Sequence, residues 1–182
     1  MKYIKRHVLA LTITIFLIII YVLFPVRANN PLLFTQKSGK NDFFRAITTQ
    51  FIHLNMIHLI VNLIFFAIAI NQLQKYFSRL KIIIFCFLSL LIIALMLCLF
   101  AQSSESYLGI SGVVLALFGL ILMCPVANEK ERATRISDFV GMIIFTLASS
   151  DVSWIAHFSG LGFGVLAGLI EKQLRNHKER LQ

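Results

Sequence analysis

Charge is scarce in this sequence. Only 14% of residues are Asp, Glu, Lys or Arg, while 58% are apolar and the mean hydropathy is +0.84. A soluble domain carries about a quarter charged residues, so a soluble fold is excluded and an integral membrane protein is indicated. At 182 residues the chain makes one compact unit, a single domain over 1–182 with no room for a second. Acidic residues are the scarcest charge, 8 against 17 Lys and Arg, for a net charge of +9. That excess does not point to nucleic acid. The basic residues cluster between apolar runs, where membrane topology and anionic lipid headgroups select them. Cysteine is equally sparse: Cys86, Cys98 and Cys124 all fall inside apolar runs and read as buried small hydrophobes. A His-Glu-x-x-His motif is missing, which excludes the usual metalloprotease arrangement. Asp42, Asp138 and Asp151 fall in loops or at helix ends, so neither an aspartyl pair nor a Ser–His–Asp triad is expected inside the membrane. Repeats and low-complexity tracts are absent, and no metal or cofactor is expected.

What the chain has is apolar runs. Their expected spans are about 8–24, 53–73, 82–101, 109–124, 136–148 and 152–170, an all-α, six-helix polytopic bundle. Val26–Arg27–Ala28 could pass for a signal-peptidase site, but the preceding run is long enough to be retained as a first helix. Residues 27–52 form the one long link, with Lys37 and Lys40 ahead of an amphipathic Phe43–Phe44–Arg45 stretch expected to lie at the membrane interface. Lys75–Lys81, Lys130–Arg135 and the tail carrying Lys172, Arg175, Lys178 and Arg180 are basic, whereas Gln102–Tyr107 and Ser149–Asp151 are not. With the basic Met1–His7 inside, these alternate links place both termini in the cytoplasm. The long first link is the exception to that pattern.

Polar residues converge in depth. His53, His58 and Asn62 fall near the outer end of the second span, Ser111 near that of the fourth, and His157 near that of the sixth. At 1.5 Å per residue all lie within roughly 10 Å of the outer surface. Ionisable groups at such depth are expensive and default to function. His58 and Asn62 are four apart and share a helix face, whereas His53 and His58 are five apart and do not. Small residues stripe two helices: Gly112, Ala116 and Gly119 on the fourth, and Gly160, Gly164 and Gly168 in line with His157 on the sixth. Such faces let membrane helices approach closely, which a serine hydroxyl and an imidazole need to meet.

Gly109–Ile110–Ser111–Gly112 resembles the G-x-S-G motif of the rhomboid intramembrane serine proteases. His53, His58 and Asn62 are similar to that family's H-x4-H-x3-N helix, and Ala156–His157–Phe158–Ser159–Gly160 with Gly164 to its last-helix histidine and glycine ridge. Phe44–Arg45, Thr48 and Phe51–Ile52–His53 resemble the stretch before the second helix, so the likeness covers about residues 43–170. The resemblance implies Ser111 as nucleophile, His157 as base, and His58, Asn62 and the Gly109 region at the oxyanion. Gly112, Gly160 and Gly164 then serve as packing support. It also implies single-span membrane protein substrates cut near the outer face, in a bacterial inner membrane. Leu115 departs from the bulky aromatic usual four residues after the serine, and the first link lacks a Trp-Arg pair. The short chain and His53–Leu54–Asn55 also resemble the rhombosortase subgroup, which is thought to process C-terminal sorting tails. The alternatives are an inactive rhomboid-like binder of membrane proteins and a small transporter or lipid-handling protein.

Overall fold

The computed structural model describes residues 2–26, 30–34, 42–101, 107–148 and 153–180. Seven helices appear among them: α1 (Lys2–Leu23), α2 (Asp42–Thr48), α3 (Met56–Leu73), α4 (Arg79–Phe100), α5 (Ser111–Met123), α6 (Glu129–Ala148) and α7 (Trp154–Arg180). A 3-10 turn, Thr49–Phe51, continues α2. Three helices are long and apolar enough to cross a membrane: α3, α4 and the Trp154–Lys178 part of α7. Val8–Leu23 and α5 are shorter apolar helices. Large apolar side chains such as Leu11, Ile15, Phe87, Leu99, Ile144 and Leu166 stand exposed on the outside. That is the surface a bilayer covers, and helices suit it because they satisfy their own backbone.

α5 is the axis of the bundle. Every residue from Ser111 to Ile121 is buried, and α7 packs along it more extensively than any other helix, with α3, α4 and α6 around the rest. The Gly, Ala and Val side chains on its faces are small enough to admit neighbours on all sides.

Several helix limits differ from the sequence expectation, each for a local reason. The helix α3 starts at Met56 because the Asn55 side chain accepts the His58 N–H at 2.8 Å as an N-cap. His53 therefore precedes the helix instead of lying within it. Ser78 caps α4 and starts it at Arg79. The helix α5 starts at Ser111, since Gly109 has φ +91° and cannot be helical. It ends at Met123 because Cys124 precedes Pro125 and is extended. The charged segment at 129–135 opens α6 instead of forming a loop: Asn128 Oδ1 accepts the Glu131 N–H, and Glu131 Oε2 accepts the Ala127 N–H. Asp138 lies well inside α6, not at its end, and accepts a bond from Gln72 at 2.6 Å. The basic tail continues α7 to Arg180. Cys124 is buried, whereas Cys86 and Cys98 are only half-buried on α4, and all three are free thiols. The readings made for Arg27, for Lys37 and Lys40, for 102–106 and for 149–151 lie outside the described residues.

One polar cluster closes the end of the bundle away from Ser111. Arg135, 4% exposed, donates through Nη1 to the Ile121 and Cys124 carbonyls at 3.1 and 2.9 Å. Its Nη2 reaches the Pro125 carbonyl, Glu131 and the Tyr76 hydroxyl. Arg135 thus satisfies the Cys124 and Pro125 carbonyls just past the end of α5 and adds a second donor to the Ile121 carbonyl, which already accepts the Cys124 N–H at 3.0 Å. Glu131 also accepts from Lys75 at 3.2 Å. The Ala127 N–H first, then Arg135 and Tyr76, hold the Glu131 carboxyl down at about 2 from an ordinary 4.5.

Candidate active site

The segment before α5 is held from two sides. Thr49 Oγ1 donates to the Tyr107 carbonyl, and the Gly109 N–H points back at the Thr49 carbonyl at 3.4 Å. The Tyr107 ring is buried against Phe34, with centroids 5.9 Å apart. The positive φ of Gly109 then turns the chain so that Ser111 is the first residue of α5.

α7 delivers the partner. Ser153 accepts the Ala156 N–H and starts that helix, which sets His157 one turn in. Ser111 Oγ and His157 Nε2 lie 2.6 Å apart, and both residues are buried. With Nε2 as acceptor the proton of a neutral imidazole sits on Nδ1, which has no hydrogen-bond partner among the described residues.

Backbone contact sets that distance. A Cβ placed on Gly160 would collide with the Gly112 carbonyl, and one on Gly164 with the Ala116 carbonyl. A Cβ on Gly112 would sit 2.8 Å from the Ala156 carbonyl oxygen, and one on Gly119 2.7 Å from that of Leu161. Gly168 instead faces the Met123 side chain, with the Leu120 carbonyl at 3.4 Å, while Gly162, on the other face, has nothing within 4 Å. The two helices therefore touch backbone to backbone along both stripes.

α3 supplies the third wall. A Cβ on Gly109 would fall 2.8 Å from the His58 ring and 3.5 Å from Asn62 Nδ2, so both side chains lie against the turn before Ser111. Asn62 is fully buried, and its Nδ2 donates to the His58 carbonyl at 3.0 Å. His53 is drawn in from outside α3: its Nδ1 faces the Phe51 carbonyl at 3.1 Å, and its ring meets that of His58 edge-on at 5.3 Å. Leu115 is buried one turn below Ser111.

Sequence reasoning missed four supporting residues. Thr49 ties down the Tyr107 segment, and Gln50 bonds the Ala46 and Leu90 carbonyls. Asn55 caps α3, and Arg135 closes α5. Asn55 just before an apolar run was a legible cap signal, and Glu131 four before Arg135 a legible pair. Thr49 and Gln50 carried no signal.

A bundle of apolar helices in which two backbones in contact hold a buried serine against an imidazole defines a membrane-embedded Ser–His hydrolase architecture. Residues 40–173 match the Rhomboid domain family, and the chain belongs to it. It is 29% identical over 131 residues to RHOMBOID-like protein 6, mitochondrial, of Arabidopsis thaliana, covering 70% of this chain and 42% of that protein. It is 26% identical over 148 residues to Rhomboid protease GlpG of Haemophilus influenzae, covering 75% and 74%. A second Rhomboid protease GlpG, from Photorhabdus laumondii, is 26% identical over 184 residues, covering 92% and 64%. The matched regions thus take in between 42% and 74% of these relatives' own lengths.

Proposed function

We propose that this chain is an intramembrane serine endopeptidase that cuts membrane-anchored proteins with Ser111 and His157. The observation that carries the reading is the 2.6 Å contact between Ser111 Oγ and His157 Nε2 in a rhomboid-family chain. His157 Nε2 takes the Ser111 proton as Oγ attacks a peptide carbonyl, then passes it to the leaving amine. Water returns the acyl group as a carboxylic acid and restores the serine. The first bond at the start of α5 is Val114 N–H to the Ile110 carbonyl, so the N–H groups of Ser111 and Gly112 precede the helical ladder. These, the Asn62 amide and His58 beside Gly109 are the donors for the tetrahedral oxyanion. Gly112, Gly160 and Gly164 hold the two helices at reacting distance.

The basic residues at each terminus support both termini being cytoplasmic, which takes an even number of crossings, and α1 and α3–α7 are the six helices assigned to them. In that orientation the dyad lies toward the outer face of a bacterial inner membrane, and α2, with Phe43 and Phe44 exposed, lies at the interface. Single-span proteins whose helix ends unwind there are the substrates. The narrower rhombosortase reading, with C-terminal sorting tails as substrates, is supported by His53–Leu54–Asn55.

A fluorophosphonate probe on the purified protein tests the chemistry. Wild type is expected to be labelled, and Ser111→Ala and His157→Ala not. An unlabelled wild type, or a labelled Ser111→Ala, refutes an activated Ser111.

A further inference from the structure

A cleft lies toward the end of the bundle opposite Ser111, between the start of α4 and the middle of α7 at Ala167 and Glu171. Its volume is about 180 Å³. Phe77, Ile82, Phe85 and Leu120 form an apolar floor, and Phe85 is backed by the stacked ring of Phe163, 5.3 Å away. Two charged side chains line the same cleft, Lys81 from α4 and Glu171 from α7. They are not paired with each other, and neither has an ion-pair or hydrogen-bonding side-chain partner among the described residues. A cation and an anion left uncommitted beside one apolar cleft are complementary to an amphiphile whose headgroup carries both charges.

We propose that this cleft seats a phospholipid with a primary-amine headgroup, an aminophospholipid of the bilayer itself. Lys81 Nζ receives the phosphate, the Glu171 carboxylate receives the ammonium, and an acyl chain lies along Phe77, Ile82 and Phe85. The carboxylate sets the headgroup choice. A primary ammonium donates charge-assisted hydrogen bonds to it, a quaternary ammonium has no N–H to donate, and a glycerol headgroup brings no cation. The site is remote from the dyad and does not depend on the proposed protease chemistry.

Native mass spectrometry of the full chain, released from detergent with phosphatidylethanolamine, phosphatidylcholine or phosphatidylglycerol of identical acyl chains, tests the proposal. Wild type is expected to retain phosphatidylethanolamine about tenfold better than either other lipid, the weight of one charge-assisted hydrogen bond. Glu171→Gln should erase that preference, and Lys81→Gln should weaken retention of all three, with melting temperatures checking that both variants fold. Equal retention of the three lipids by wild type, a preference for phosphatidylglycerol, or a preference that survives Glu171→Gln in a folded protein overturns it. Where Glu171→Gln does not fold, Glu171→Ala is read in its place, and a preference that survives it overturns the proposal.

Discussion

Gly160→Ala adds one methyl group to the contact between α5 and α7, and its effect can be worked from the backbone. Ordinary Cβ contacts begin at about 3.4 Å, and a Cβ on Gly112 would stand 2.8 Å from the Ala156 carbonyl oxygen, a shortfall of 3.4 − 2.8 = 0.6 Å. On Gly160 the new Cβ would collide outright with the Gly112 carbonyl, so the shortfall is larger. The obstacle is backbone on a buried helix, which cannot rotate away as a side chain would. The helices must therefore part by on the order of 1 Å, and that much misplacement of reacting groups costs on the order of 10²-fold in rate. The 2.6 Å contact between Ser111 and His157 is the one that opens, and a side-chain contact at about 3.6 Å is no longer a hydrogen bond. Gly162→Ala is the matched control, since nothing lies within 4 Å of that position. It should leave activity intact and add up to about 1 kcal/mol of helix stability, the propensity gain of Ala over Gly. Cleavage of a reporter span by equal amounts of each purified variant, with melting in detergent, gives the comparison. Equal activity in Gly160→Ala and Gly162→Ala would refute the argument that backbone contact sets the dyad.

Three further outcomes are expected. Asn62→Ala should lower kcat by about 10² to 10³ with KM little changed, the loss typical of one oxyanion donor; a change confined to KM would make Asn62 a substrate contact. Arg135→Gln should lower the melting temperature, because the buried Cys124 carbonyl loses its donor while that of Ile121 keeps the Cys124 N–H, and one unpaired buried group costs about 1–3 kcal/mol; an unchanged melting temperature would remove Arg135 as the closure of α5. The Glu131 carboxyl, held at about 2 against an ordinary 4.5, contributes stability that is fully present above the ordinary value and fades as pH falls from about 4.5 toward 2. Wild-type melting should therefore decline across that window, and Glu131→Gln should melt lower at neutral pH with a flatter acid limb; parallel curves would show that the carboxylate contributes nothing.

The site was legible where residue type and spacing are themselves the signal. Ser111 between Gly109 and Gly112, the four-residue step from His58 to Asn62, and the Gly160–Gly164–Gly168 stripe are readable because helical periodicity turns spacing into a face. What could not be read depends on contacts distant in sequence. Thr49 reaches Tyr107 across 58 positions, and no local pattern encodes that. Charge misled at 129–135: a charged stretch between apolar runs reads as a solvated link, yet its acids suit the positive end of a helix dipole and its Arg135 is buried. His53 was placed inside α3 because the apolar run extends past it, whereas Asn55 caps the helix two residues later.

Among the described residues no acid stands beside the imidazole, and this bears on how the dyad is oriented. In a Ser–His–Asp triad the carboxylate fixes the tautomer and the ring. Here His157 Nδ1 has no hydrogen-bond partner among the described residues, Asp138 is committed to Gln72, and Asp42 belongs to α2. Among the described residues what orients the imidazole is packing, and these helices supply it in excess. α5 is buried along its length from Ser111 to Ile121, gripped by α7 at Gly112, Ala116 and Gly119, and closed at its far end by Arg135. A helix so held cannot slide or turn without driving a carbonyl into a neighbouring backbone. The serine at its first residue and the histidine one turn into α7 inherit that rigidity, and among the described residues it is the glycine stripes that hold this pair in register.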